Sequence, residues 1–538
     1  MKQLLIGSGA RKNAVEALAT IADAVGSTLG PQGRPFVFER LGADQRYKPT
    51  VSKDGLTALN SLEFSDPIYN AVHYFAQQAA AHSVLASGDG TTSTVVLAAA
   101  VAQAISEASH AIPQAFARQI RQEASNAIDA IKQEADSSPE CSRMVALTSA
   151  NGDEELADQA IAAIKLSSAF GTIIVEKAPG SRQRYKIVKS DGYVGGKGYN
   201  YNNVFASSCS ALAAENSPFE WDNSRVCVLN GHLYTPEILD AILAAFNKDI
   251  NENGTKKLVI FAYEVADEIL NKLIVFNRKM AAFDIAVYVA KPRVTAEINS
   301  GLQIWRDICA YTASTMLDGG NYKTVEPSMF GTVGKLRVTP TQTLLLGRAS
   351  NHWVDQRVQQ NKNIIDAAES QFDKEITTIR NSELAEGLVK VEVGGGLLPD
   401  IQERADRFDD AAKAAQACMR AGALPGCGAS YIRSGELAGA SKELSQALST
   451  VHKKIMENYG AVPMSSFGSG ETCRIGDDGC KTGNFRDIGV VDAAETVCAV
   501  IRNGVELGIL VATLGGYSLI NRSIMDEIQK TRTVREVV

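Results

Sequence analysis

Residues 87–94 read Ser-Gly-Asp-Gly-Thr-Thr-Ser-Thr and lead directly into the apolar segment VVLAAAVAQAI, which predicts a buried helix. Glycines allow backbone N–H groups to close around an anion, and the N-terminus of the following helix adds partial positive charge. The hydroxyls of Thr91, Thr92 and Ser93 can donate to phosphate oxygens. The stretch therefore predicts a phosphate-binding loop, although it lacks the GxxxxGK[ST] pattern of P-loop enzymes. Asp89 is interpreted as a magnesium ligand, with a plain helix cap as the alternative.

Two turns precede this loop. Residues 11–28 carry apolar side chains at helical spacing, and the predicted helix ends in Leu29-Gly30-Pro31-Gln32-Gly33, a tight turn with exposed backbone N–H groups. Residues 34–53 hold two β-prone runs around the polar LGADQ, which predicts a hairpin that ends at Lys53-Asp54-Gly55. Asp54 is a candidate catalytic carboxylate, but an Asp-Gly pair also serves plain turn geometry.

The rest of the chain alternates between helical and mixed patterns. Alanine-rich helices are predicted at 65–86, 91–110 and 113–135. In the middle, strands at 226–229, 257–262 and 283–290 alternate with helices near 236–249 and 265–280, which is typical of an α/β unit with parallel strands. A charged helix at 357–385 and helices at 400–421, 434–458 and 493–513 follow. We expect the two helical ends to form one domain around the α/β insert.

Composition excludes several classes of function. The chain has 538 residues, enough for roughly three to four domains, and a formal net charge of −7 without a long basic block. A nucleic-acid or anionic-membrane partner is therefore disfavoured. No apolar run reaches the ~20 residues of a membrane span, and a soluble protein of the cytoplasm is expected. The nine cysteines show no CxxC spacing, which favours reduced thiols and disfavours zinc.

Three more carboxylates are candidates for chemistry. Asp409 and Asp410 lie inside the helical segment RADRFDDAAKAAQACM, where a carboxylate pair usually marks a solvated face. Asp492 precedes a predicted helix and could simply cap it. Their combination with a phosphate loop is more informative, because hydrolysis of a phosphoanhydride needs magnesium, a phosphate cradle and a carboxylate that orients water.

Five segments together resemble a known family. They are TLGPQGR (28–34), TVSKDG (50–55), GDGTT (88–92), RFDDAA (407–412) and GCG (426–428). In this order and at these separations they resemble the ATP-site segments of the chaperonins, and the overall length is most similar to the bacterial, group I type. A divergent member, of viral origin or from a specialised lineage, is the expectation.

The resemblance implies a role for each matching residue. Asp89 would hold Mg²⁺, Asp410 would orient the attacking water, and Asp54 would assist it. The other residues implied to line the nucleotide are Thr28, Leu29, Gly30, Pro31, Lys53, Gly90, Thr91, Thr92, Ser93, Cys427, Gly428 and Asp492. ATP and Mg²⁺ are the expected cofactors, with K⁺ as a further candidate ion.

The resemblance also implies a multidomain α/β and α fold. A mainly helical equatorial domain would comprise residues 1–135 and 421–538, a small intermediate domain 136–191 and 387–420, and an α/β apical domain 192–386. Gly192 and Gly387 are expected as hinges, since glycine tolerates large changes in φ and ψ, although a glycine is equally often a simple turn residue.

The resemblance further implies that the two helices of the α/β insert form a surface that binds substrate. Helix 265–280 has more apolar circumference than one contact with a sheet requires, and the surplus could bind unfolded chains. The alternative is a helix that is buried on both sides. The expected substrate-binding residues are Tyr199, Val204, Leu239, Ile242, Leu270, Ile274 and Val275.

The predicted function is that of an ATP-dependent chaperonin, an ATPase that encloses unfolded or misfolded polypeptides in a homo-oligomeric ring. Seven subunits per ring are expected, and a co-chaperonin lid is a candidate partner. Residues 474–483 read RIGDDGCKTG and lack the family's Asn-Ala-Ala, which supports an alternative with weak or altered nucleotide use. A second alternative, a metabolic enzyme that uses ATP, would need an acceptor pocket for which the sequence offers no candidate.

Overall fold

The computed structural model describes residues 2–41, 47–108, 113–198, 219–292, 298–318, 324–338, 343–368, 371–476 and 479–520. The chain forms two compact units. Unit 1 comprises Met1–Ile164 and Gly395–Val538, and unit 2 comprises Lys165–Gly394. Both chain ends therefore belong to the same unit, with the middle of the chain inserted between them.

The N-terminal part of the chain is mostly helical, as its alanine-rich pattern predicts. Its helices are α1 (Ser8–Gly26), α2 (Gly55–Ser61), α3 (Pro67–Ser87), α4 (Thr91–Glu107), α5 (Pro113–Lys132), α6 (Pro139–Ser149) and α7 (Glu154–Ser167). Its strands are β1 (Lys2–Ile6), β2 (Phe36–Leu41) and β3 (Tyr47–Ser52). Strands β2 and β3 pair antiparallel, which confirms the predicted hairpin.

Unit 2 combines two sheets with five helices in its described residues. The strands are β4 (Thr172–Lys177), β5 (Tyr185–Ser190), β6 (Gly192–Gly198), β7 (Phe219–Leu229), β8 (Lys257–Phe261), β9 (Ala286–Pro292), β10 (Met316–Leu317), β11 (Gly331–Val338), β12 (Thr343–Leu346) and β13 (Leu388–Val393). The helices are α8 (Pro236–Asn253), α9 (Asp267–Met280), α10 (Ile298–Thr312), α11 (Asn351–Ala367) and α12 (Gln371–Glu386). Short 3-10 helices lie at Ala281–Phe283 and Pro327–Met329.

The larger sheet of unit 2 confirms the predicted α/β pattern. Its strand order is β10-β7-β11-β12-β6-β9-β8, and β7 also pairs with β8, the last strand in this order. Strands β7, β8 and β9 are parallel neighbours, with α8 and α9 as the connections between them. The smaller sheet has β13 at its centre, parallel to β4 and antiparallel to β5.

The C-terminal part of unit 1 is again mainly helical. Its helices are α13 (Leu398–Ala421), α14 (Ala429–Ala438), α15 (Lys442–Leu448), α16 (Thr450–Tyr459), α17 (Phe485–Ile488) and α18 (Ala494–Ala512). Its strands are β14 (Ala423–Pro425), β15 (Glu471–Gly476), β16 (Gly479–Asn484), β17 (Val491–Ala493) and β18 (Gly516–Ile520). Strand β14 pairs with β17, β15 with β16, and β18 with β1.

Two predicted helices are divided in the structure. The segment predicted as one helix at 434–458 contains α14, α15 and α16, because Gly439 adopts a left-handed conformation and Ser441 caps a new helix. The charged segment predicted as one helix at 357–385 contains α11 and α12. Local apolar periodicity continues across these breaks, so periodicity alone does not reveal them.

The core of unit 1 is a helical bundle in which α4 is central. Residues from α1, α4 and α18, among them Leu18, Leu97 and Val500, are fully buried in one hydrophobic cluster. Burial of these apolar faces is the main stabilising contribution, at ~25 cal/mol per Å² of apolar surface. The N-terminus of α4 therefore has a fixed position, which the candidate site requires. In the described part of the chain, no helix has the length and hydropathy that a bilayer crossing demands.

Candidate functional site

The turn after α1 is held firmly against the bundle. Gly33 N–H donates to the carbonyl of Gly30 at 2.9 Å, and Gly30 has a positive φ of 84°. Asn458 donates from Nδ2 to the carbonyls of Gly26 and Leu29, both at 2.9 Å. Thr28 is buried, whereas Gly30 and Pro31 are exposed. The predicted nucleotide-binding turn is thus fixed by hydrogen bonds, and its backbone at Gly30 and Pro31 is accessible to a ligand.

Asp54 has a clear structural role. Its carboxylate caps α2 by accepting from the N–H groups of Leu56 at 3.2 Å and Thr57 at 2.7 Å. Lys53 beside it is exposed, as is Asp54 itself. The same carboxylate raises the pKa of both Asp89 and Asp410 through its charge. Asp54 therefore caps a helix and also faces the other two predicted site carboxylates.

Gly55 allows two predicted segments to meet. A Cβ atom at this position would lie 1.8 Å from Oγ1 of Thr92 and 3.6 Å from Oγ1 of Thr28. Any side chain there would clash with Thr92, so glycine is required by close approach. The turn at 28–33, the Asp54 turn and the start of α4 are consequently neighbours, although they are distant in the sequence.

The predicted phosphate loop forms the entrance to α4. Gly90 is the N-cap residue and adopts a left-handed conformation, and no side chain caps the helix. Within the described part of the chain, the Asp89 carboxylate accepts a hydrogen bond from Gly90 N–H at 2.6 Å and not from the N–H groups inside the helix. The alternative that Asp89 is the cap of this helix is therefore wrong. Thr91 and Thr92 are buried and Ser93 is half-buried. Because no side chain caps the helix, the backbone N–H groups of the first turn of α4 are left for a ligand at the loop.

Asp410 belongs to the same cleft. Helix α13 lies directly against the Gly88 turn, since a Cβ on Gly88 would come within 2.1 Å of the Cβ of Lys413. Asp409 pairs with Lys413 on the solvated side of α13. The pKa of Asp410 is raised to about 8, first by burial and then by the charge of Asp89, with smaller effects from Asp409 and Asp54. The two adjacent aspartates thus have different surroundings.

Asp89 and Asp410 share an informative combination of properties. Both side chains are exposed to solvent, yet burial by surrounding protein is the largest cause of their raised pKa values. A carboxylate that protein surrounds but water still reaches lies in an open cleft. Mutual repulsion of the carboxylates disfavours their charged forms, and a bound divalent cation would offset it. Carboxylate oxygens are the ligands that Mg²⁺ prefers, so the donor set fits this ion.

Asp492 lies on the other side of the loop. It is half-buried in β17 opposite Leu424, and Ala493, not Asp492, is the N-cap residue of α18. The alternative of a plain helix cap is therefore wrong. Burial and the charge of Asp89 raise the pKa of Asp492 to about 7. Asp492 therefore belongs to the carboxylate cluster around the loop.

Sequence reasoning missed Tyr431 at this site. Its side chain is buried, it hydrogen-bonds with Ser93, and burial followed by the charges of Asp492 and Asp89 raises its pKa. Tyr431 thus connects α14 to Ser93 in the first turn of α4. An aromatic residue on an amphipathic helix normally indicates core packing, so only its position in the GCGASY segment, four residues after Cys427, could have suggested a role.

Cys427 and Gly428 form the turn that opens α14. Both have positive φ values, 55° and 77°, and Gly428 is the N-cap residue. A Cβ on Gly428 would lie 2.7 Å from the backbone nitrogen of His452. The charge of Asp492 contributes to the raised pKa of Cys427, which indicates that this turn adjoins Asp492. The predicted nucleotide segments of unit 1 therefore converge on one region.

The predicted substrate-binding residues are placed differently. Tyr199 and Val204 lie outside the described residues. Four others are buried, so their predicted place on the surface is wrong: Leu239, Ile242 and Leu270 belong to the core of unit 2, and Ile274 on α9 is also buried. The physical reason is that α8 and α9 must each bury one apolar stripe on the sheet, and these residues form that stripe. Val275 is 49% exposed and remains available at the surface.

The two predicted hinge glycines both have a packing reason. A Cβ on Gly192 would lie 2.6 Å from Cδ2 of Leu388, and a Cβ on Gly387 would lie 2.4 Å from the carbonyl oxygen of Ser190. Gly387 also has a positive φ of 78°. Backbone geometry thus requires glycine at position 387, whereas at position 192 the close neighbours are leucine side-chain ends, and hinge motion at both positions stays a prediction.

Comparison with known proteins identifies the family. A profile of the TCP-1/cpn60 chaperonin family matches residues 21–513, and the chain belongs to this family. Among solved structures, the fold is similar to the chaperonin gp146 from the bacteriophage EL 2 (Pseudomonas aeruginosa) in the presence of ATP-BeFx. The match to crystal form II has a TM-score of 0.69 at 20% sequence identity and covers 96% of this chain and 98% of that chain. For crystal form I the TM-score is 0.63 at 19% identity, with the same coverage. The chaperonin fold and the divergent character predicted from the sequence are confirmed.

Proposed function

We propose that the protein is an ATP-dependent chaperonin that captures non-native polypeptides in a ring and uses hydrolysis of Mg-ATP to promote their folding in the cytoplasm. The observation that carries this proposal is the convergence of Asp54, Asp89 and Asp410 at the N-terminus of α4 in a member of the chaperonin family. The phage chaperonin gp146 was crystallised in the presence of ATP-BeFx, an ATP analogue, and this supports nucleotide use in this fold.

Each segment of the cleft has a task in this proposal. The uncapped first turn of α4 and the hydroxyls of Thr91, Thr92 and Ser93 bind phosphate oxygens. The exposed backbone of the 28–33 turn and Lys53 line the nucleotide, and Asp492 accepts from the ribose. Asp89 ligates Mg²⁺, which when bound supplies the positive charge that offsets both carboxylates and phosphates. K⁺ is a further candidate for the phosphate side of the cleft.

Asp410 is the proposed base. A carboxylate with a pKa of about 8 is largely protonated near neutral pH, and in that form it cannot accept a proton from water. A nearby cation lowers such a pKa, so we infer that Asp410 becomes a competent base only when the cleft is loaded. It would then orient the attacking water and accept its proton, with Asp54 assisting through its charge. Hydrolysis would in this way depend on a filled site.

Polypeptide capture and assembly are proposed from exposed apolar surface. Val275 on α9 is exposed, and Lys272 on α9 pairs with Asp240 on α8 at 2.7 Å, so these two helices present one joint outer face. Val37 and Val51 of the β2–β3 hairpin are both more than 60% exposed, at 63% and 62%. These side chains are candidates for contacts between subunits of a homo-oligomeric ring. Seven subunits and a co-chaperonin lid are part of the proposal.

A second candidate function keeps the ring and polypeptide binding but has weak or altered nucleotide use. It is favoured by the β15–β16 hairpin, which carries RIGDDGCKTG in place of the segment expected to contact the base. Calorimetric titration with Mg-ATP and Mg-GTP separates the two candidates. Binding of neither nucleotide, or equal binding of both, would favour the second.

The experiment that tests the proposed function compares three proteins. Steady-state ATP hydrolysis is measured for the wild type, for Asp410→Asn and for the control Asp409→Asn, whose aspartate pairs with Lys413 and has only a minor effect on the pKa of Asp410. We expect Asp410→Asn to reduce kcat by ~10²–10⁴-fold with little change in nucleotide affinity, which is the usual effect of removing a general base. The control should keep most of its activity. Equal rates for all three proteins would refute the assigned role.

A further inference from the structure

A group of soft metal-binding side chains lies beside the cleft, outside the carboxylate site. Donor atoms of Cys427, His452 and Cys473 all lie within 4.8 Å of one another. The sulfur atoms of Cys427 and Cys473 are 3.4 Å apart. The three residues come from the turn before α14, from α16 and from β15, so their proximity is produced by tertiary structure.

A third thiol lies on the neighbouring strand. In the β15–β16 register, Cys480 pairs with Ile475 and Cys473 pairs with Thr482. Paired residues of an antiparallel hairpin point to the same face, as do residues two apart on one strand. Cys480 therefore lies on the same face as Cys473, as its diagonal neighbour. It is exposed at the edge of the group and is not among the three residues whose donor atoms lie within 4.8 Å of one another.

The distances suit a tetrahedral soft cation. Zinc binds thiolate at about 2.3 Å, which in a tetrahedral site places two sulfurs about 3.8 Å apart. The 3.4 Å separation of the Cys427 and Cys473 sulfurs needs only a small expansion to reach that value. Together with Cys480 the group would supply one imidazole and three thiolates, which is a common zinc ligand set. It differs from the carboxylate cluster, whose hard oxygens suit Mg²⁺.

The imidazole is already oriented. Its Nδ1 lies 2.7 Å from the carbonyl oxygen of Cys427, to which it donates when Nε2 accepts from the N–H of Met464 at 3.1 Å. A backbone carbonyl that fixes one ring nitrogen is the usual partner of a metal-binding histidine, because it leaves the other nitrogen as ligand. Metal binding through Nε2 would release the Met464 N–H, which belongs to the half-buried loop before β15.

The backbone at Cys427 also indicates a purpose for its thiol. Its φ of 55° lies in the left-handed region, where a residue with a side chain is less stable than glycine. A cysteine at such a position has a backbone cost that its thiol must offset, and a metal bond is one means of doing so.

We propose that Cys427, His452 and Cys473 form the core of a binding site for one zinc-class divalent cation, that Cys480 moves in as the fourth ligand when the cation binds, and that the bound ion fastens the β15–β16 hairpin to the turn beside Asp492. The thiols lose their protons to solvent on binding. The site would stabilise the edge of the cleft without touching the phosphates. It requires neither ATP hydrolysis nor ring assembly, so it stands or falls independently of the proposed function.

The test measures metal directly on the full-length protein. The reduced protein is stripped with a chelator, incubated with Zn²⁺, desalted and analysed by plasma mass spectrometry, and we expect about one zinc ion per chain. Co²⁺ in place of Zn²⁺ should give a thiolate-to-cobalt charge-transfer band and the visible bands of tetrahedral cobalt. Cys473→Ser and the double variant Cys427→Gly/Cys480→Ser should lose most of both signals.

Two control variants make the result specific. Cys309→Ala removes a thiol of unit 2 and should keep one zinc, and Asp89→Asn weakens the carboxylate site and should keep the charge-transfer band. Zinc that survives in Cys473→Ser but is lost in Asp89→Asn would overturn the proposal, as would a wild type that binds no zinc. A Cys427–Cys473 disulfide found by mass spectrometry of the non-reduced, freshly purified protein, with no zinc taken up after reduction, would also overturn it.

Discussion

The carboxylates beside α4 have protonation properties that single-residue experiments can test. Burial and mutual repulsion raise the pKa of Asp410 to about 8 and that of Asp492 to about 7. Both values are far above the 3.8 expected for an aspartate in an unfolded chain. These two carboxylates therefore bind more protons in the folded protein than in the unfolded chain between pH about 4 and about 8, and their contribution to stability falls as pH rises through that window.

The first prediction concerns this pH dependence. Without divalent cations, the free energy of unfolding of unit 1 should decrease as pH rises from about 5 to about 8, because the raised pKa values disfavour the ionised carboxylates. Urea titrations followed by circular dichroism at several pH values give the slope. Mg²⁺ should reduce the slope, and Asp410→Asn should remove part of it. A slope identical in wild type and variant would contradict the assignment.

Gly88 gives a second prediction at the residue scale. This glycine has a φ of 78°, and a Cβ would meet Lys413 of α13 at 2.1 Å. Gly88→Ala should lower the free energy of unfolding by ~1–3 kcal/mol through backbone strain and displacement of α13, and it should also impair hydrolysis. Gly254→Ala is the matched control, since Gly254 has a φ of 74° at a helix end with open space around it. If both variants lose the same stability, the close approach of α13 is unimportant.

Among the elements, helices α10, α11 and α12 share a buried charge network. Asp307 of α10 is fully buried and accepts from Nε of Arg357 at 2.6 Å, from Nδ2 of Asn361 at 3.2 Å and from Nη1 of Arg380. Tyr193 of β6 donates to the same carboxylate at 3.3 Å. One carboxylate thus satisfies groups from three other elements of unit 2.

The third prediction is that Asp307→Ala destabilises unit 2 by ~3–5 kcal/mol, because two buried guanidinium groups lose their counter-charge. The chain has three tryptophans, at 221, 305 and 353, and all belong to unit 2. Tryptophan fluorescence during urea unfolding therefore reports on unit 2 specifically. Asp240→Ala breaks only the exposed pair with Lys272 and should cost ~0–1 kcal/mol. Similar urea midpoints for Asp307→Ala and Asp240→Ala would refute the stabilising role of the Asp307 charge network.

At the same scale, the sequence predicted the presence of helices and strands better than the residues at which they begin and end. Apolar periodicity located α1, α3, α4 and the β7–β8–β9 unit, since each buries one regular stripe. It failed at Gly439, where one left-handed residue divides a continuous pattern. The family resemblance placed Leu239 on a binding surface, and periodicity could not correct it, because a periodic stripe does not state which side of the helix meets the sheet. Such information comes only from tertiary packing.

The site was predictable to the extent that it depends on contiguous segments. GDGTT and KDG carry their chemistry in neighbouring residues, so Asp54, Asp89 and Asp410 could be proposed together through the family resemblance. Tyr431 and the thiol group could not. Cys427 and Cys473 are brought to 3.4 Å by the β15–β16 hairpin and the turn before α14, and no sequence spacing encodes that contact.

For the whole molecule, the proposed capture of unfolded chains leads to a fourth prediction. Val275→Ser should weaken binding of a fluorescently labelled, denatured polypeptide by about threefold to tenfold, because roughly half of a valine side chain is available for apolar contact. Fluorescence anisotropy with the assembled protein measures this. Val188→Ser on β5 removes a comparably exposed valine away from α8 and α9 and should leave affinity unchanged. Equal losses would indicate non-specific adhesion.

Assembly is the fifth prediction at this scale. Electron micrographs of the purified protein should show closed rings, and addition of ATP should change the outline of the particles. Val37→Asp, which charges the exposed hairpin, should shift the particles toward smaller species in size-exclusion chromatography, whereas Val188→Asp should not. A protein that stays monomeric at every concentration would contradict the ring.

The pairing of β1 with β18 has a consequence for synthesis on the ribosome. Lys2 lies opposite Ile520, and α18 is needed to cover α4. Helices α1–α5 emerge early, yet their hydrophobic partners arrive last, a delay of tens of seconds at ~5–20 residues per second. Unit 2, which is continuous in sequence, can fold meanwhile. A nascent chain of this protein therefore exposes apolar helix faces until its C-terminal helices have been synthesised. We expect such a chain to be bound by holdase chaperones of the cell.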